Sequence, residues 1–325
     1  ISSAFPMDQF VSELRGNGRG MMTRNLQERF TLAVTQTLSV GSHCFRVDLA
    51  GPQEGELVLL LHGYPNSRHS WREFHGPLSE HGFRTLAPDQ RGYSPGARPV
   101  DAVLDYHYDR IVEDTLGFAD ALGVSSFHLA GHDWGGQIAW LTAARHPDRL
   151  RSLTVLSRPH PVAFAEALAE DPEQAKRSRH HKAFQDPGMA SRLLANDAQV
   201  VRNTLCFERA SGLSGKDGAD GSNVRRRMSD ELAGLHLSVL GTESAMNAAL
   251  NWYRASFTGE SALARPDVPA IMVPTLYVWG CEDWSVGTVA AEATARHIVG
   301  PYEFVSVEGA GHFLAEESPA AVLKA

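Results

Sequence analysis

One hexapeptide limits the folds open to this chain more than any other segment: Gly131-His132-Asp133-Trp134-Gly135-Gly136, which directly follows the run 127–130, apolar except at His128. Beyond it, residues 137–145 read as the helix that follows the strand. A buried run that passes into a helix through a few small residues reads as strand, tight turn, helix. Glycines on either side of Asp133 leave room for the backbone to double back and tolerate strain at the central residue. That succession is the repeating unit of an open, largely parallel sheet, whose strands need helical crossovers between them.

The rest of the chain repeats the unit. Residues 57–61 form a wholly apolar run ending at His62-Gly63, as a strand buried on both faces of a parallel sheet does. Residues 83–87, apolar except at Arg84 and Thr85, repeat the pattern before Pro88-Asp89, and 150–156 follow as a further strand. Between them, 105–122 has Ile111, Leu116, Ala119 and Leu122 at helical spacing and ends at Gly123, which suits a helix C-terminus. From about 159 to 269 the strand runs cease and the sequence turns helical and polar, with a flexible stretch at 211–222. Strand character returns at 275–279 and 302–307, separated by a helix at 288–298. The pattern predicts an α/β fold with a mostly parallel central sheet and helices on both faces. Its core is 21–158 and 270–325, and 159–269 is an inserted helical cap. Residues 1–20, with Gly16, Gly18 and Gly20 close together, are set aside as an arm outside the fold.

A formal charge of −8 argues against a nucleic-acid partner, because phosphates are neutralised by clustered Lys and Arg. The basic run Arg225-Arg226-Arg227 sits in a Gly-rich neighbourhood and is expected to be a solvated loop. Cys44, Cys206 and Cys281 are far apart and lack metal-ligand spacing, so neither disulfides nor a zinc site is expected. No apolar run reaches the roughly 18 residues of a membrane span, and the first residues lack the basic and apolar stretches of a leader. The expectation is a cytoplasmic protein without membrane contact that uses neither metal nor cofactor.

The segment around Asp133 has the Gly-x-Nuc-x-Gly spacing of a nucleophile elbow, with Asp at the nucleophile position. The residue type decides the chemistry. A serine attacking an sp³ carbon would leave a stable ether, whereas a carboxylate leaves an ester whose carbonyl carbon water can attack. Ester hydrolysis needs a base and an acid residue to orient it. Gly280-Cys281-Glu282-Asp283 follows a predicted strand and offers the acid, and Gly309-Ala310-Gly311-His312-Phe313 follows the last strand and offers His312 as the base. The order nucleophile, acid, histidine is that of α/β-hydrolases. The backbone amides of Trp134 and Tyr64, at two strand ends, are placed to receive the oxyanion.

Taken together, His62-Gly63-Tyr64-Pro65-Asn66-Ser67, Asp89-Gln90-Arg91-Gly92-Tyr93, the elbow and Gly311-His312-Phe313 resemble the soluble α/β-hydrolase-fold epoxide hydrolases from about residue 30 to the end. The resemblance implies an α/β-hydrolase fold, Asp283 in preference to Glu282, a cis bond before Pro65, and a small apolar epoxide and water as reactants. It also implies that the cap presents two tyrosine hydroxyls to the epoxide oxygen. Leu250-Asn251-Trp252-Tyr253-Arg254 is similar to one donor segment and makes Tyr253 a donor. In the other segment the tyrosine, four residues before Phe-Gln-x-Pro-Gly, is replaced by His180, with His181 adjacent. Either His180 then supplies the second hydrogen bond and titrates near 6.5, or one tyrosine suffices. Haloalkane dehalogenases share the aspartate elbow but commonly have Asn where Tyr64 stands, and they leave Tyr253 without a purpose. A ligand receptor on the same fold would usually have lost one of Asp133, Asp283 and His312.

Overall fold

The computed structural model describes residues 33–100, 103–209, 224–256 and 268–325; the arm at 1–20 and the stretch at 211–222 lie outside the described residues. In chain order the strands are β1 (Val34–Val40), β2 (His43–Ala50), β3 (Leu57–Leu61), β4 (Arg84–Pro88), β5 (Phe127–His132), β6 (Leu150–Leu156), β7 (Phe207–Arg209), β8 (Val224–Arg226), β9 (Thr275–Gly280) and β10 (Tyr302–Val307). Eight of them form one sheet in the order β1-β2-β4-β3-β5-β6-β9-β10. Its pairs are parallel from β4 through β10, while β1–β2 and β2–β4 are antiparallel.

The apolar runs are buried on both faces, and their alternation shows it. Leu57, Leu59 and Leu61 of β3 join one hydrophobic cluster, and Val58 and Leu60 join the other. In β9, Tyr277 and Trp279 point one way and Val278 the other. The strands read at 57–61, 150–156 and 302–307 coincide with β3, β6 and β10. The helix read at 105–122 is a 3-10 turn, Val103–Tyr106, followed by the helix Tyr108–Ala121.

Between β3 and β5 the connections leave in opposite directions, since β4 lies beyond β3 on one side and β6 beyond β5 on the other. The carboxyl ends of such a strand pair frame a crevice, which is where ligands bind in open α/β sheets. Between β6 and β9 the chain leaves the sheet for the helices Pro161–Glu170, Pro172–Arg177, His180–Ala183, Met189–Cys206, Asp230–Leu240 and Glu243–Ser256 and the hairpin β7–β8. Leu205, Leu240 and Trp252 of this segment share one apolar cluster with the sheet.

The basic run is not a solvated loop. Arg225 and Arg226 lie in β8, and the buried guanidinium of Arg227 contacts Glu317 and, at 2.9 Å, Glu282. A buried cation is costly unless a countercharge reaches it, and here the carboxylates come from positions 55 and 90 residues further on, which local sequence does not reveal. Among the described residues, no helix is long and apolar enough to cross a membrane.

Candidate active site

Asp133 terminates β5 at φ 50, ψ −116, a conformation that L-residues rarely adopt. The helix Trp134–Arg145 starts at the next residue, so the carboxylate stands at the strand end and points into the crevice rather than capping that helix. The close approach of β3 is possible because residue 63 is glycine: a Cβ there would sit 2.5 Å from the Asp133 Cβ. The tight approach puts the Tyr64 amide 3.0 Å from Asp133 Oδ1, to which it donates. The Tyr64–Pro65 bond is cis, as the resemblance implies.

On the other side, His312 Nε2 lies 3.4 Å from Asp133 Oδ2, and His312 Nδ1 lies 2.9 Å from Asp283 Oδ2. Asp283 is fixed in turn, because its Oδ1 accepts from the amides of Ser285 at 2.7 Å and Val286 at 2.9 Å. Glu282 instead faces Arg227, so geometry separates the two adjacent acids. Burial alone would keep the His312 ring neutral, but the Asp283 and Asp133 carboxylates flanking it reverse this and raise it to about 10. Burial likewise opposes ionisation of Asp133, yet the facing imidazole and the Tyr64 amide hold its carboxyl below the usual carboxylate range.

Tyr253 is buried, with its ring edge-on to Trp134 at 4.9 Å, Phe184 at 4.8 Å and Tyr64 at 5.5 Å. Burial and then the Asp133 charge push its phenol well above the ordinary value, so it stays protonated as a donor. His180 is half-buried, its ring 6.1 Å from that of Tyr253. Its Nδ1 lies 3.1 Å from the Arg177 carbonyl, which can only accept. A neutral His180 therefore carries its proton on Nδ1 and presents a bare Nε2, an acceptor. Burial lowers its pKa to about 4, against the opposing pull of Asp133, which replaces the expected titration near 6.5. His181 is adjacent, with its ring 5.5 Å from Tyr253.

Several supporting residues were not legible beforehand. Glu317 accepts from the amides of Gly311 at 2.8 Å and Phe313 at 3.1 Å, and so brackets His312. Ser157 Oγ and His132 Nε2 each lie 2.7 Å from the His312 carbonyl. Arg177 donates to the Asp283 carbonyl at 2.7 Å. The only sequence hint was the acidic pair Glu316-Glu317 shortly after the histidine. No group of three His, Cys, Asp or Glu side chains among the described residues is arranged to hold a metal ion.

A carboxylate at a strained elbow, an imidazole between it and a second carboxylate, and a buried phenol nearby constitute a set able to form and then hydrolyse an ester. Residues 56–319 match the family model described as alpha/beta hydrolase fold. The chain is 32% identical over 301 residues to a Mycobacterium tuberculosis protein named epoxide hydrolase A, covering 86% of this chain and 92% of that one. It is 30% identical over 288 residues to the AB hydrolase superfamily protein YfhM of Bacillus subtilis, covering 88% and 94%. The solved structure of epoxide hydrolase A from Mycobacterium thermoresistibile superimposes with a TM-score of 0.69 at 26% identity, covering 89% of this chain and 95% of that one.

Proposed function

Because the chain belongs to the alpha/beta hydrolase fold family, we propose that it hydrolyses epoxides to vicinal diols through an alkyl ester on Asp133. The observation that carries this reading is the pairing of His312 Nε2 with Asp133 Oδ2 at 3.4 Å while its Nδ1 is held by Asp283. An Asp133 oxygen attacks a ring carbon, the carbon–oxygen bond breaks, and Tyr253 protonates the departing alkoxide. The product of this step is a hydroxyalkyl ester. His312 then takes a proton from water, whose oxygen adds to the ester carbonyl carbon. The amides of Tyr64 and Trp134 receive the oxyanion; on collapse the leaving diol oxygen takes the remaining proton of the attacking water, the Asp133 carboxylate is restored, and the proton held by His312 replaces the one Tyr253 gave up. In this reading 159–269 acts as a cap over the core 21–158 and 270–325, since it brings Tyr253 and His180 to the crevice.

The direct test is a panel of terminal, cyclic and aryl epoxides assayed beside bromo- and chloroalkanes. Diol formation from at least one epoxide class, faster than halide release, is the expected outcome. Turnover of haloalkanes alone would assign the site to dehalogenation.

Tyr253 separates leaving groups. An alkoxide needs a proton and a halide does not, so Tyr253→Phe should slow epoxide opening by about 10²-fold or more while cutting carbon–halogen cleavage far less. Equal losses on both would mean that the substitution disturbed the site as a whole. His180 gives a second, pH-resolved expectation. Its Nε2 becomes a donor only on protonation, and protonation needs pH near about 4. His180→Phe should therefore cost little at neutral pH, with a deficit that grows as the medium is acidified toward that value. A large deficit at neutral pH, measured as single-turnover alkylation, would restore His180 as a working donor.

A further inference from the structure

The proposed steps use no cation, yet a buried arginine borders the aromatic rings around Tyr253. Arg158 follows β6 and is only 9% exposed. Ser157 before it has φ 64, and the Arg158 amide donates back to the Leu156 carbonyl at 2.7 Å. That is a γ-turn of the rare positive-φ kind, the sort of backbone strain that persists at functional positions. The turn delivers the guanidinium to 4.0 Å from the centre of the Phe164 ring and 5.7 Å from that of Trp134. Phe164 in turn meets His181 at 6.1 Å, His181 meets Tyr253 at 5.5 Å, and Tyr253 meets Trp134 at 4.9 Å. Arg158 thus closes a circuit of rings around the phenol.

Its partners account for only part of what a guanidinium offers. Nε donates to Gln137 Oε1 at 3.0 Å, and the ring faces of Phe164 and Trp134 satisfy the charge in part through cation–π attraction. Among the described residues no carboxylate ion-pairs with Arg158 and no acceptor takes its terminal nitrogens, which leaves the bidentate edge of the fork open. Asp133 acts on Arg158 electrostatically but does not pair with it, and both Asp133 oxygens already face other groups. A cation this buried is costly unless a countercharge reaches it.

We propose that Arg158 binds a carboxylate on the substrate, so that the favoured epoxides carry an acid group separated from the ring by a short apolar chain. This rests on the epoxide reading above and narrows it, since a wholly apolar substrate would leave the fork empty. The test pairs a terminal epoxyhexanoate with the corresponding epoxyhexanamide, in wild type, Arg158→Met and Arg158→Lys. Wild type should favour the acid on the order of 30-fold in kcat/KM, mainly through KM. Arg158→Met should abolish that ratio and Arg158→Lys should keep part of it. Independently of any chemistry, calorimetry with unreactive hexanoate and hexanamide should show acid-selective binding to wild type that Arg158→Met loses. The wild-type comparison stands even if the variants fold poorly. An amide turned over or bound as well as the acid by wild type would overturn the proposal while leaving epoxide hydrolysis intact. Acid-selective binding through Arg158 with neither epoxide opened would do the reverse.

Discussion

Asp133→Ala protein should fold and bind substrate but turn over no epoxide, a loss of at least about 10⁴-fold. The other carboxylate of the site, Asp283, is not free to take over the attack, being held by His312 and by the Ser285 and Val286 amides. The same claim has an isotopic form. With enzyme in excess over substrate in heavy-oxygen water, the first turnover should put the label into Asp133 and leave the diol unlabelled, because the oxygen added to the substrate carbon comes from the carboxylate. Later turnovers should pass label on to product. Label appearing in the first diol would mean that water attacks the epoxide directly, with Asp133 as a base.

His312→Gln should divide the reaction in two. Alkylation needs Asp133 ionised and Tyr253 protonated; losing the imidazole weakens the hold on the Asp133 charge, but the Tyr64 amide still donates to its carboxylate, so alkylation should be slowed and not stopped. The variant should accumulate the ester, seen as a substrate-sized mass increase on the Asp133 peptide, with turnover reduced about 10²- to 10⁴-fold. The electrostatics add a pH dependence in the wild type. In the resting protein the two flanking carboxylates raise His312 to about 10, so the ring is protonated at neutral pH. Ester formation removes the charge of Asp133 and with it part of the force holding that proton. The His312 pKa falls, and the neutral ring becomes available as a base once attack has occurred. Ester breakdown should therefore quicken as pH rises, through a pKa lower than that of the free protein. An unmodified His312→Gln protein after long incubation with a good substrate would remove His312 from the second step.

The parts of the fold that announced themselves were those where local sequence and final environment agree. The strands β3, β6 and β10 were readable as apolar runs or by alternation, and the elbow by its glycines. β1 and β2 were not, because β1 is an edge strand almost wholly exposed and rich in Thr, Gln and Ser, without an apolar signature. Asp133 and His312 were legible because each stands at a strand end beside glycines. Asp283 came only with the resemblance, since Glu282 is chemically equivalent until Arg227 is placed beside it. The His180 ring lies 6.1 Å from that of Tyr253, but which proton it carries turns on the Arg177 carbonyl, a backbone atom no side-chain pattern specifies. Arg158 and Arg227 were equally silent. Burial of a charged side chain is decided by residues far along the chain, which for Arg227 means contacts 55 and 90 positions away.

Arg227 belongs to the inserted segment by sequence and to the histidine loop by contact, for the carboxylate of Glu317 that it meets also accepts the Gly311 amide. The segment is therefore not a detachable module. A chimera carrying a foreign segment in place of 159–269 would leave Glu317 buried without its cation, a costly condition, beside His312, the base of the proposed reaction. Any regrafting of the segment would therefore have to carry a cation at 227 to meet Glu317 and Glu282.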